Sequence, residues 1–290
     1  MAVVGLCLHP ERERVVEVAG QAARWLTARG HEVRLSKDDA EMAGLAGLGV
    51  DDGCFLVGLD VAVSLGGDGT MLRTVDLVAA AEVPVIGVNL GTLGYLTEVE
   101  PQHVEQALER FLAGDHEVES RMRMSVEVDA PSGAGAASCT VPALNEAVVG
   151  KTPSGQIVRV RVLIDGEQLT TYAADGIIIA TPTGSTAYAW SAGGPIISPD
   201  HTALLLTPVA PHMLFDRSLV LPPTSCIRLE VASGRPATLS VDGRNLGLLE
   251  EGDAVVCTVA PHPAKLVTFE PRNFLRILKA KFGLDDRGVS

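Results

Sequence analysis

Asp68 stands among three glycines in Gly66-Gly67-Asp68-Gly69-Thr70, directly after the apolar run 61–65 and before a helix-like stretch, residues 71–81. A strand that enters a glycine loop and then a helix start brings backbone N–H groups and a favourable dipole to one point, where phosphate fits. A carboxylate there disfavours an anion unless a metal or a transferable proton is involved. Asp68 can accept the proton of an attacking hydroxyl, or hold Mg²⁺ directly or through water. The competing role is a helix cap, which Thr70 can fill instead. Arg73, one turn into the helix, faces either the same ligand or solvent. The chain carries neither G-x-x-x-x-G-K-[ST] nor G-x-G-x-x-G, so a P-loop ATPase and a standard Rossmann oxidoreductase are disfavoured.

Three more stretches carry chemistry. From Asp175 an apolar run ends in Thr181-Pro182-Thr183-Gly184-Ser185-Thr186-Ala187-Tyr188, a loop with four hydroxyls before a short helix. Hydroxyls and free helix N–H groups bind ribose or phosphate oxygens without charge. An ordinary strand–helix junction needs only two such side chains, so this loop is expected to bind a ligand. Asn145-Glu146 interrupts an apolar run, which is costly unless the pair meets a ligand or each other; a strand end with Asn145 in a turn is the alternative. Gly87-Val88-Asn89-Leu90-Gly91-Thr92-Leu93-Gly94-Tyr95-Leu96 follows a parallel strand, where open α/β sheets hold ligands. Asn89 and Tyr95 can line such a site, or the glycines only shape a turn.

These residues need elements to hold them, and the first third of the chain alternates. Residues 2–8 are expected as a buried strand. Residues 12–29 form an amphipathic helix with Val15, Ala19, Ala22, Ala23 and Leu26 on one face, ended by Gly30. A strand around Val33 and Leu35 follows, then a βαβ unit from strand 61–65, helix 71–81 and strand 84–88. A helix opened by Pro101 and closed by Gly114 completes an α/β domain with a parallel sheet and flanking helices, residues 1–115. Residues 116–270 form a mostly β domain, with strands at 124–128, 158–164, 169–173 and 227–231 and hairpin turns at Asp165-Gly166 and Asp242-Gly243. A helix over 272–282, in the final segment 271–290, packs back on the body. The small-residue stretch 131–138 is expected as a disordered loop tip.

Composition closes off other functions. The chain of 290 residues is 47% apolar, enough for packed cores. A net charge of −13 with no Lys/Arg cluster excludes general nucleic-acid binding, so an anionic ligand must be met by local donors. No apolar run reaches membrane-span length and the opening run, residues 1–8, is too short for a secretory signal, so the expected location is cytoplasmic, without a membrane partner. The five cysteines are unpaired in pattern and mostly within apolar runs, as expected for reduced core thiols. Histidine and cysteine spacings give no protein-built metal site.

Taken together, the motifs resemble the NAD kinase family, the polyphosphate/ATP NAD kinases. The resemblance rests on GGDGT at 66–70, NLGTLGYL, Asn145-Glu146, the run from Asp175 through TPTGSTAY to Ser191-Ala192-Gly193-Gly194-Pro195, Thr207-Pro208-Val209-Ala210-Pro211-His212, and Asp242-Gly243-Arg244. It spans about residues 60–275 in consistent order. GGDG alone also occurs in diacylglycerol kinases, sphingosine kinases and phosphofructokinases. The resemblance implies transfer of the ATP γ-phosphoryl group to the 2′-hydroxyl of the adenosine ribose of NAD, giving NADP. Polyphosphate is a further candidate donor, and Mg²⁺ or another divalent cation the cofactor. Asp68 falls at the position of the proton acceptor, with Gly69 and Arg73 at ligand-contacting positions beside it. Asn145, Glu146, Asp175, Thr183, Gly184, Ser185, Thr186, Ala187 and Tyr188 fall at dinucleotide-binding positions, as do Ala210 and Arg244. A homodimer or homotetramer is also implied.

Two rival readings have distinct signatures. A GGDG-type lipid kinase needs an apolar or basic patch for membrane docking, which the sequence lacks. A non-catalytic NADP(H)-binding sensor keeps the pocket without the reaction, and an altered Asp68 would mark it; Asp68 is intact.

Overall fold

In the computed structural model the apolar runs of the first third become buried strands. The structure describes residues 1–10, 13–91, 94–133, 135–152, 156–232, 234–270 and 274–284. The chain divides into two compact units, Met1–Ser120 with Ala264–Ser290, and Arg121–Pro263.

In the first unit a seven-stranded sheet has the order Gly49–Val50, Glu32–Ser36, Val3–Leu8, Val61–Gly66, Val85–Asn89, Ala264–Thr268, Glu117–Arg121. The pairings from Gly49–Val50 through Ala264–Thr268 are parallel. Val61–Gly66 and Val85–Asn89 are buried at every position. That is why they appear in sequence as unbroken apolar runs instead of alternating ones. Helix Glu13–Ala28 turns Val15, Ala19, Ala22 and Leu26 fully inward, at the 3.6-residue spacing expected of them. Gly30 follows at φ +78°, the left-handed conformation that ends a helix at little cost to glycine.

The second unit is two six-stranded antiparallel sheets. One runs Glu167–Ala174, Val158–Ile164, Ile227–Val231, Ala254–Val259, Met124–Asp129, Cys139–Ala143; the other Leu219–Leu221, Leu204–Val209, Gly176–Ala180, Glu146–Lys151, Ala237–Val241, Arg244–Leu249. Inward residues of both, among them Val126, Val160 and Leu229 from one and Val149, Ile177 and Leu239 from the other, share one core. Both Asp-Gly pairs make the expected hairpin turns, with Asp165, Gly166, Asp242 and Gly243 all at positive φ. The mostly β character and the C-terminal helix, Phe274–Phe282, match expectation. Residues 272 and 273, where the sequence puts the beginning of that helix, lie outside the described residues.

Three expectations change. The glycine-loop helix starts at Asp68, not at 71, and its α-helical part ends at Val78. Of the cysteines only Cys7 and Cys257 are core thiols, pushed up to about 12 by burial, whereas Cys54, Cys139 and Cys226 are exposed. The stretch 131–138, of which Ala134 lies outside the described residues, is anchored and not a free tip. Ser132 donates its backbone N–H and hydroxyl to the Asp253 carboxylate at 3.0 and 2.6 Å, and the Ala136 N–H donates to Leu248 O at 2.8 Å. Asp253 is fully buried and also accepts the Glu250 N–H at 2.9 Å. Asp253→Ala should therefore cost about 2–3 kcal/mol in chemical denaturation, since it strands three donors at once. A loss below about 0.5 kcal/mol would show that water replaces the carboxylate.

Candidate functional site

Asp68 occupies the first turn of helix Asp68–Val78, immediately after the buried strand Val61–Gly66. Gly67 is the N-cap, and no side chain caps the helix. The first-turn amides are thus open to an anionic ligand. Thr70 does not fill the capping role allowed for it: it lies buried inside the first turn, and its carbonyl accepts the Thr74 hydroxyl. Asp68 in turn has a structural hold of its own. Its Oδ2 accepts the Tyr95 N–H at 2.8 Å and its Oδ1 the Leu96 N–H at 3.1 Å. Those donors can approach because residue 94 is glycine; a Cβ there would collide with Asp68 Oδ1. Asn89, a candidate liner, instead shapes the turn, its Oδ1 accepting the Gly91 N–H at 3.0 Å. Thr92 and Leu93 lie outside the described residues.

A cavity of about 420 Å³ opens over this loop, lined by Gly67, Asp68, Gly69 and Thr70, by Arg73, and by Lys281 of the C-terminal helix. The Arg73 guanidinium donates to the Leu8 carbonyl and lies 3.9 Å from Asp39 Oδ2. Asp39 itself accepts the Leu8 N–H at 2.9 Å, and burial pushes its carboxyl above the usual range. Arg73 is thereby held at the mouth of the loop with its charge partly exposed.

In the second unit Asn145 and Glu146 stand where strand Glu146–Lys151 begins. Asp242 pins that turn: its Oδ2 accepts the Leu144 N–H at 2.7 Å, and its Oδ1 accepts those of Asn145 and Glu146 at 2.8 and 3.0 Å. Glu146 is buried, and its Oε2 has no hydrogen-bond partner in the protein. Burial, then the Asp242 charge, push its carboxyl up to about 7, against the opposing backbone N–H of Tyr188. A buried oxygen without a partner is costly, and a ligand hydroxyl can supply the missing bond.

The hydroxyl-rich loop braces itself. Thr181 donates to Leu144 O and accepts the Gly184 N–H at 3.2 Å. Ser185 is fully buried, donates to Pro182 O at 2.6 Å and accepts the Ile197 N–H at 2.9 Å. Thr186 donates to Thr183 O at 3.2 Å, and Thr183 accepts from Arg121 at 3.4 Å. Gly184 packs so closely on Asn145 that a Cβ would collide with that carbonyl. This loop and the Asn145-Glu146 turn are therefore one structure, with Tyr188 exposed and Ala187 and Thr186 half-buried at its edge. Arg244, two residues after Asp242, lies exposed at the same end of the sheet.

Asp175 and Ala210 are not brought there. Gly176 pairs with Gly150 and Val209, whereas Ala180 pairs with Glu146, so Asp175 lies at the opposite strand end, roughly 15 Å away. The Asp175 carboxylate accepts from Lys151 Nζ at 2.8 Å, and Ala210 next to it holds a strained φ of +44°. Spacing overlooked Asp242 as a pin and the amides of Tyr95 and Leu96. The Asp-Gly pair marked only a turn, and backbone donors leave no side-chain signature.

A family model described as ATP-NAD kinase N-terminal domain matches residues 54–116, and one described as ATP-NAD kinase C-terminal domain matches 144–269. The chain belongs to the ATP-NAD kinase family. An NAD kinase of Heliobacterium modesticaldum is 41% identical over 283 residues, covering 97% of this chain and 98% of that one. An NAD kinase of Moorella thermoacetica is 39% identical over 282 residues, covering 97% and 89%. Among solved structures, a yeast NADH kinase complexed with NADH superposes with a TM-score of 0.90 at 27% identity, covering 99% of this chain and 89% of that one. An NAD kinase from Archaeoglobus fulgidus in complex with ATP gives 0.72 at 25% identity, covering 97% of each. These relatives set the chain among NAD kinases and apart from the lipid kinases that share GGDG.

Glu146 makes a pH signature for this family member. Its raised pKa means the folded protein binds this proton more tightly than the unfolded chain. Its contribution to stability is therefore greatest below about pH 4.5, declines as pH rises to about 7, and then levels off. Glu146→Gln should gain roughly 3 kcal/mol on wild type between about pH 4.5 and about pH 8. Urea denaturation at both pH values measures this, and a pH-independent difference would refute the raised pKa.

Proposed function

We propose that this chain transfers the γ-phosphoryl group of ATP to the 2′-hydroxyl of the adenosine ribose of NAD, giving NADP and ADP. The observation that carries this reading is the Asp68 carboxylate, clamped by two backbone amides at an uncapped helix start. In this reading Asp68 takes the 2′-hydroxyl proton as the oxygen attacks the γ-phosphorus, and the bond from that phosphorus to the β-bridging oxygen breaks as ADP leaves. Gly67 and Gly69 let phosphate approach the first-turn amides, and Arg73 faces the charge that builds on it. On the second unit Glu146, with its unpartnered oxygen, and Asn145 bind dinucleotide hydroxyls and base. Thr183, Gly184, Ser185, Thr186, Ala187 and Tyr188 shape that pocket, with Arg244 at its edge. Asp175 and Ala210 serve the dinucleotide from the other strand end.

Among the described residues no three His, Cys, Asp or Glu side chains cluster as a metal cage. Mg²⁺ takes one or two carboxylates and several phosphate oxygens, so it does not require such a cage. Asp68 is the carboxylate of the cavity, so it would hold the cation directly or through water. When bound, the cation shields the triphosphate charge. Polyphosphate is a second candidate donor, because the cavity recognises phosphate through amides and charge, features that do not depend on a base.

A homodimer or homotetramer belongs to the same reading, supported by exposed Leu214 and Phe215 and by Val220 on an edge strand. Among the described residues no helix is long and apolar enough to cross a membrane.

Asp68→Asn should retain NAD binding in calorimetry and lose at least about a hundredfold in kcat. Near-normal turnover would remove Asp68 as the base. Gly94→Ala, which keeps the carboxylate but displaces it, should also lower kcat, by about tenfold to a hundredfold. Both are read by product analysis after incubation with NAD, Mg²⁺ and either ATP or polyphosphate; absence of 2′-phosphorylated product from the wild type would refute the proposed reaction.

A further inference from the structure

The cavity over the glycine loop receives a side chain from the far end of the chain. Lys281 lies in the last turn of helix Phe274–Phe282 and lines the same space as Asp68 and Arg73. Its ammonium sits 4.2 Å from the centroid of the Tyr95 ring. Tyr95 is the residue whose backbone N–H holds Asp68 Oδ2. One residue thus carries on its amide the carboxylate and on its ring the cation.

The protein carries a net −13, so no general positive field draws a polyanion to this loop. Arg73 is partly committed, donating to the Leu8 carbonyl and facing Asp39. Lys281 has no carboxylate partner among the described residues; its contact is the aromatic face. An ammonium on a ring face still turns N–H donors away from the ring, toward another acceptor. Below it lie the open amides of a helix start, the groups that receive phosphate oxygens.

We infer that Lys281 is a ligand of the donor's phosphate chain, held by the Tyr95 ring so that its ammonium meets the phosphate oxygens over Gly67–Thr70. This rests on the kinase reading for the identity of the donor. The recognised chemistry is a linear condensed phosphate, which ATP and inorganic polyphosphate share. The C-terminal helix is thereby part of the donor site as well as a packing element. Lysine suits the place because its point charge slides between adjacent phosphates where an arginine fork would fix on one.

The test uses the full chain with Lys281→Gln and Lys281→Arg. Inorganic tripolyphosphate is titrated by calorimetry, and KM is measured for NAD, ATP and polyphosphate. Lys281→Gln should weaken tripolyphosphate and raise the KM of each active donor by about tenfold, the scale of one charge-assisted hydrogen bond. KM for NAD should stay within about twofold, and Lys281→Arg should restore most of the loss. Unchanged tripolyphosphate affinity in Lys281→Gln would overturn the inference, and so would a rise in the NAD KM matching that of the donor. If the wild type formed no 2′-phosphorylated product the kinase reading would fail alone, because the tripolyphosphate titration decides Lys281 without turnover.

Discussion

A carboxylate can be fixed in space by a counter-ion or by backbone amides, and the two solutions behave differently. A salt bridge ties the group to a flexible side chain and partly cancels its charge. Two amides from consecutive residues hold both oxygens in a set plane without bringing a counter-charge. Asp68 is held the second way by Tyr95 and Leu96. The rest of the first unit is arranged to allow it. Strand Val61–Gly66 delivers the loop, the neighbouring parallel strand Val85–Asn89 delivers the segment bearing the amides, and Gly94 clears the space between them. The Leu90 N–H to Gly66 O bond at 2.6 Å ties the two loops together just before they diverge.

The second unit repeats the device for a different end. Asp242, from a hairpin turn, gathers the amides of Leu144, Asn145 and Glu146. This fixes the backbone of the Asn145-Glu146 turn so that its side chains are free for other work. Glu146 is left buried beside a negative group with an oxygen to spare. Retaining such a group costs stability, and proteins tolerate that cost mainly where a ligand completes the site.

How much of this was legible in the sequence depended on the range of the interaction. The parallel strands, the helix face of Val15, Ala19, Ala22 and Leu26, and the two Asp-Gly hairpins are local patterns, and periodicity or turn chemistry reveals them. The glycine loop stood out as a candidate site because its acid falls where phosphate fits and Thr70 was available as the cap, although Thr70 does not cap the helix. The TPTGSTAY loop drew notice through its excess of hydroxyls, and three of these bond to carbonyls of the loop and its neighbour, partners that residue type alone does not reveal. The partners of Asp68, 27 and 28 residues away, are backbone groups, and no residue type announces an amide. Strand Ala264–Thr268 is short, and nothing in its composition tells that it enters the first sheet between Val85–Asn89 and Glu117–Arg121.

That late strand shapes how the molecule is made. A ribosome releases residues 1–120 long before 264–268, so two strands of the first sheet wait with a vacant slot between them. Unpaired strand edges of this kind invite pairing with other nascent chains. The second unit is continuous in sequence, Arg121–Pro263, and can complete its sandwich during the wait. Closing the first sheet then requires a contact spanning roughly 180 residues, from Val85 to Leu266, an entropically slow step. The half of the protein that carries Asp68 is synthesised first and finished last.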